Sequence, residues 1–75
     1  MAGVAIKGEA KGDKRELEFS IEPCFSGGFL LSVLHKSGRS SAFALGVWPN
    51  VEKAKEIAQT NATNLLPGAE IKWLG

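Results

Sequence analysis

A single cysteine and a single histidine occur among the 75 residues of this chain, and the scarcity of each removes a class of function. Cys24 alone can form no disulfide within the chain and supplies no thiolate cluster for zinc. A thiol nucleophile also needs a base. His35 ends a strand-like segment that begins at Phe29, and at about 3.3 Å of rise per residue it stands roughly 20 Å from Cys24. Cys24 therefore reads as a small apolar loop residue and His35 as a strand-end residue. No apolar run approaches the roughly 20 residues that span a bilayer, and the start, with Lys7, Glu9 and Lys11, has no stretch of the signal-peptide kind. A cytosolic location without membrane attachment is the expectation. Neither sign of charge dominates, since nine basic side chains face eight acidic ones, so long-range attraction for a polyanion is weak.

What the chain does have is period. Val51, Ala54, Ala58, Ala62 and Leu65 recur at steps of three and four, widened by Ile57 and Leu66, with Glu52, Lys53, Lys55, Glu56, Gln59, Thr60, Thr63 and Asn64 elsewhere. This is an amphipathic helix with one buried face. Asn50 suits its N-cap, Glu52 the positive end of its dipole, and Pro67-Gly68 its end. The run from Thr60 to Asn64 is poor in helix formers, so the last two turns should depend on packing.

Upstream, Leu17, Phe19 and Ile21 alternate with Glu16, Glu18, Ser20 and Glu22, the pattern of a half-buried antiparallel strand. Pro23 and Gly27-Gly28 bound a loop, a second strand follows from Phe29 to about His35, and Lys36 to Arg39 turn the chain again. Ser41 to Val47 reads as a third strand with Phe43, Leu45 and Val47 on one face, and Glu70 to Leu74 as a last one carrying Ile71 and Trp73. Val4, Ile6 and Ala10 fit an extra N-terminal strand turning at Gly12-Asp13, the alternative being a loose arm. The fold class is thus α+β: a small antiparallel sheet of three to four strands, one helix packed on one face and a final short strand, in the order β-β-β-α-β with that extra strand. Residues 1–75 are expected to form a single domain. A chain of this length buries only about 60% of its unfolded surface, so a homodimer that covers an exposed sheet edge is one expectation.

No constellation carries chemistry. Glu16, Glu18 and Glu22 share a strand face, but alternate positions stand about 7 Å apart, whereas hard-cation sites gather converging oxygens from flexible loops. They read as a solvated face. Gly27-Gly28 leads into a strand and not into the helix of a phosphate-binding loop, and the Asn61-Ala62-Thr63 triplet falls inside the helix. No catalytic residue, metal or cofactor is assigned, and the chain is read as no enzyme.

Two surfaces remain. If the strands meander, the turns at Lys11 to Arg15 and Lys36 to Arg39 share one end of the sheet, where Lys11, Lys14, Arg15, Lys36 and Arg39 would form a basic edge offset by Asp13. Such an edge could contact the phosphates of a nucleic acid. The opposite end collects Phe25, Gly27, Gly28, Trp48 and Asn50, two aromatics beside flexible glycines and a helix start, the kind of anchor that dominates protein interfaces. Binding to a protein partner is the preferred reading and nucleic-acid binding the alternative.

Phe19-Ser20-Ile21-Glu22-Pro23, then Gly27-Gly28-Phe29, then a helix opening Val51-Glu52-Lys53-Ala54 resembles the small HicB-type antitoxin domain over roughly residues 15 to 74. The family's Pro-Gly motif after the second strand and its Gly-x-Thr lead into the helix are missing. The resemblance implies a non-catalytic, partner-binding protein of antitoxin or inhibitor type. Leu45-Gly46-Val47-Trp48 running into Val51-Glu52-Lys53-Ala54 is similar to DNA binders of the plant AP2 and integrase arm-binding kind, without their arginine-rich, aromatic strand faces.

Overall fold

The computed structural model describes residues 5–12, 15–36 and 41–74. Five strands and one helix follow in the order β1 (Ile6–Lys11), β2 (Glu16–Pro23), β3 (Phe29–His35), β4 (Ser41–Trp48), α1 (Val51–Leu65) and β5 (Lys72–Trp73). All neighbouring strands pair antiparallel, and the sheet order is β4-β3-β2-β1-β5. The N-terminal segment is therefore a strand, facing β2 from Ile6 opposite Ile21 to Lys11 opposite Glu16. Val4, Asp13 and Lys14, and the turn residues 37–40, lie outside the described residues.

One face of the sheet carries the core. Leu17, Phe19 and Ile21 of β2 and Leu31 and Val33 of β3 are fully buried against Ala54, Ala58 and Ala62 of α1, with Ala10 and Leu66 completing the cluster. Alanine at the three central helix positions lets the helix sit close to the large side chains of β2. Each large side chain buried there contributes about 1.5–3 kcal/mol. The helix begins as its sequence requires: Asn50, extended at φ −150°, accepts the Lys53 N–H on its side-chain oxygen at 2.7 Å. At the other end the Leu66 N–H still donates to the Ala62 carbonyl at 2.7 Å before Pro67 and Gly68 turn the chain away. Ala62, the one good helix former between Thr60 and Asn64, is fully buried.

The return to the sheet is held by one side chain. Gln59 donates from Nε2 to the Ala69 carbonyl at 3.2 Å and accepts the Ile71 N–H on Oε1 at 3.3 Å. Trp73 then covers Gly8, where a Cβ would come within 2.6 Å of the indole, and Lys55 lies 5.3 Å above the same ring. The last strand is shorter than expected, Lys72–Trp73 in place of Glu70 to Leu74, and it pairs with β1.

The third strand of the sequence reading needs correction. β4 is bulged: Ser32 faces Ala44 but Leu30 faces Val47, so Leu45 and Gly46 together oppose Leu31. Gly46 takes φ +103°, a left-handed conformation open to glycine. The extra residue reverses the alternation, so Phe43 and Leu45 share the helix side while Val47 turns to the opposite face and Trp48 takes its place on the core side, opposite Phe29. Among the described residues no helix is long and apolar enough to cross a membrane.

Candidate functional site

The aromatic end forms as the strand order requires, because Pro23 faces Phe29 and Phe29 faces Trp48. The β2–β3 loop closes with the Cys24 N–H on the Gly28 carbonyl at 3.0 Å and the Gly27 N–H on the Cys24 carbonyl at 3.1 Å, Gly27 and Gly28 having φ of +93° and +81°. Gly28 lies against Trp48, where a Cβ would come within 3.1 Å of the Trp48 carbonyl oxygen. Phe25, Gly27, Gly28, Trp48 and Asn50 are thus neighbours, but they are not equally free. Trp48 is half-buried and donates from Nε1 to the Leu45 carbonyl at 3.2 Å, bracing the bulge. Asn50 is engaged as the helix cap. Phe25 stands fully exposed at the loop tip. Cys24 lies at this end and His35 at the other, edge-on to Phe43 with ring centroids 5.4 Å apart.

At the opposite end the strand ends that lead into the two turns do fall together, with Lys11 facing Glu16 and His35 facing Ser41. Of the five expected phosphate contacts, Lys11, Arg15 and Lys36 are described and exposed, and Lys14 and Arg39 are not described. Two of these cations are already engaged. Lys11 Nζ lies 3.7 Å from Glu16 and Lys36 Nζ lies 3.2 Å from Glu18. The hydrogen bond to Glu18 and its negative charge, with smaller help from Glu16 and Glu9 against the cost of burial, hold the Lys36 ammonium above its ordinary pKa. The sequence reading offset the basic edge by Asp13 alone; the structure adds glutamates from the neighbouring strand, whose alternation turns them to the same face. Among the described residues no group of three His, Cys, Asp or Glu side chains is placed to hold a metal ion.

The sequence reading expected an exposed sheet edge without assigning it to a strand, and the strand order makes β4 the long one. β4 is an outer strand, pairs only with β3 and is exposed at most of its positions. From Ser41 to Trp48 it carries no charged residue. Natural edge strands are commonly guarded by charge, proline or a bulge, and here only the bulge at Gly46 interrupts the run. Phe43 is 54% exposed and Val47 56% exposed, on opposite faces. The helix-free face of the sheet is also divided. Lys7, Glu9, Lys11, Glu16, Glu18 and Glu22 occupy its β1–β2 half, while Leu30 and Leu34 of β3 and Ala42, Ala44 and Val47 of β4 make the other half largely apolar around Ser32. An uncharged eight-residue strand in the sequence was the available signal.

Fold and surface together describe a small antiparallel sheet with a single covering helix and a long uncharged edge interrupted by one bulge. Set against protein-family models, curated proteins and solved structures, the chain matches none of them.

Proposed function

We propose that this chain is a small non-enzymatic regulatory protein, antitoxin- or inhibitor-like, that acts in the cytosol by binding a protein partner. One observation carries the reading: β4 offers a long backbone edge without charge beside an apolar half-face. Strand addition at such an edge draws affinity from main-chain hydrogen bonds and specificity from alternate side chains. Phe25, fully exposed at the end where the bulged half of β4 emerges, supplies an aromatic contact for the same partner. The resemblance to HicB-type domains favours an inhibitor over an enzyme. Nucleic-acid binding draws less support, since Lys11 and Lys36 are paired with glutamates.

The test is affinity capture from cells that make the chain, using the parent, Phe25→Ala and the double variant Ala42→Lys/Ala44→Lys. A stoichiometric protein partner should be retained by the parent and lost from the lysine variant at unchanged circular dichroism. Loss of a packed aromatic anchor commonly costs at least about 2 kcal/mol, the scale expected for Phe25→Ala. Tight oligonucleotide binding at physiological salt overturns the proposal if it is lost when Lys14, Arg15, Lys36 and Arg39 become Ala, with the salt slope falling by about 0.7–0.9 per contact.

A further inference from the structure

We infer that the occupant of the β4 edge in the isolated protein is a second copy of the chain, paired antiparallel through Ser41–Leu45 with Phe43 on the two-fold axis. The inference rests on the reading of β4 as a binding edge and adds the partner and the register.

The direction of the free backbone groups follows from the ladder. The Lys36 N–H donates to the Glu16 carbonyl at 2.9 Å, and bonded and non-bonded pairs alternate along an antiparallel ladder. Glu18 opposite Leu34 is then bonded between β2 and β3, while Val33 and His35 direct their amides to β4. Phe43 and Ser41, which face Val33 and His35, therefore bond inward. The amides and carbonyls of Ala42 and Ala44 are left pointing out from the edge.

An antiparallel copy centred on Phe43 sets Ala42 against Ala44 of its mate and Ala44 against Ala42, two hydrogen-bonded pairs that each exchange two bonds. The sequence is symmetric about that point, Ala-Phe-Ala, so small residues meet small ones. Phe43 meets Phe43 as a non-bonded pair, the geometry in which side chains approach most closely. No like charges oppose each other along the strand. The bulge disfavours the next register towards Trp48: shifting the axis to Ala44 carries the pairing through Gly46 and sets Val47 on one face against Ser41 on the other. The helix leaves the space. α1 starts beside β4 at Trp48 and runs away from it, its C-cap Leu66 lying against Gly12 just past β1, and at the other end of β4 Phe43 is exposed and His35 only half-buried. Two such ends meet around the axis. On the other face the apolar half of each five-stranded sheet becomes continuous with its mate.

Sedimentation between about 1 µM and about 1 mM should show the 8.0 kDa chain doubling in mass. Phe43→Ala should raise the dimer Kd about 30-fold or more, the factor that loss of an aromatic anchor implies. Phe43→Asp and Phe43→Lys should each be monomeric alone and dimeric when mixed. The register is tested in a Cys24→Ser background under mild oxidation. Phe43→Cys should cross-link, because a non-bonded pair stands about 4.5 Å apart between Cα atoms. Ala42→Cys alone should not cross-link, its counterpart being displaced by about 7 Å along the strand, yet it should do so when mixed with Ala44→Cys. A parent that stays monomeric throughout, or a dimer that cross-links elsewhere and ignores Phe43, overturns the inference. A monomer that still captures a protein through β4 refutes self-pairing and leaves the proposed function standing; a dimer registered on Phe43 that captures nothing does the reverse.

Discussion

Replacing Ala58 by aspartate puts a carboxylate at the centre of the helix face that covers Phe19 and Leu31. Ala58 has no accessible surface, and none of its core neighbours is polar. A charged aspartate there would be unpaired. The cheaper outcome is protonation, which at pH 7 requires the folded pKa to rise from about 3.9 past 7, or about 4 kcal/mol. Crowding of the added atoms contributes about 1–3 kcal/mol more. The sum is comparable with the whole stability expected of a 75-residue chain, about 4–11 kcal/mol. If the variant folds at all, its melting temperature should fall by at least about 20 °C, given about 4–8 °C per kcal/mol for a small domain. The pH dependence gives a second check. A folded pKa above the unfolded one means that Ala58→Asp is least harmful below about pH 4 and loses stability as pH rises from there. Ala58→Asn, which cannot ionise, should lack that slope. Thermal melts followed by circular dichroism at several pH values would measure both. A variant melting within a couple of degrees of the parent would show that the helix phase described above is wrong.

Gly8→Ala drives a methyl group into the Trp73 ring and should cost about 1–3 kcal/mol; combined with Trp73→Ala, the two losses should be clearly non-additive in denaturant titrations, and additivity would refute the contact. Lys36→Ala should lower the denaturation midpoint slightly at low salt. Because Glu18 raises the Lys36 pKa, the pair's contribution is fully present below 10.5 and lost as pH rises through the higher folded value, and about 1 M salt should also erase the difference. Cys24→Ser should leave stability within about 0.5 kcal/mol and partner capture unchanged, since the thiol's one polar contact is a 4.0 Å approach to the Glu22 carbonyl; loss of capture at unchanged stability would give the thiol a role.

Local periodicity and local chemistry were enough for much of this fold. Ala54, Ala58 and Ala62 mark the buried helix face by spacing alone, Asn50 marks the cap because its partner is only three residues away, and Leu17, Phe19 and Ile21 mark the core side of β2 because a strand alternates. These are signals whose cause lies within a few residues of their effect. The features that decide the surface depend on neighbours remote in the chain. Val47 was placed with Phe43 because alternation was carried unbroken through Gly46; the bulge that turns it over exists only where Leu31 of the next strand opposes two residues. Lys11 and Lys36 look free in the sequence and are paired once β1, β2 and β3 lie side by side. Trp48 fits either a core or rim position or a binding anchor in the sequence, and in the sheet it braces the bulge. Which strands end up on the outside is also settled by order in space: β5 pairs with β1 under the hold of Gln59, and that leaves uncharged β4, in the middle of the chain, as the long open edge of the sheet. Sequence spacing determines which way a side chain points within its own element, and only the assembled sheet determines what, if anything, lies opposite it.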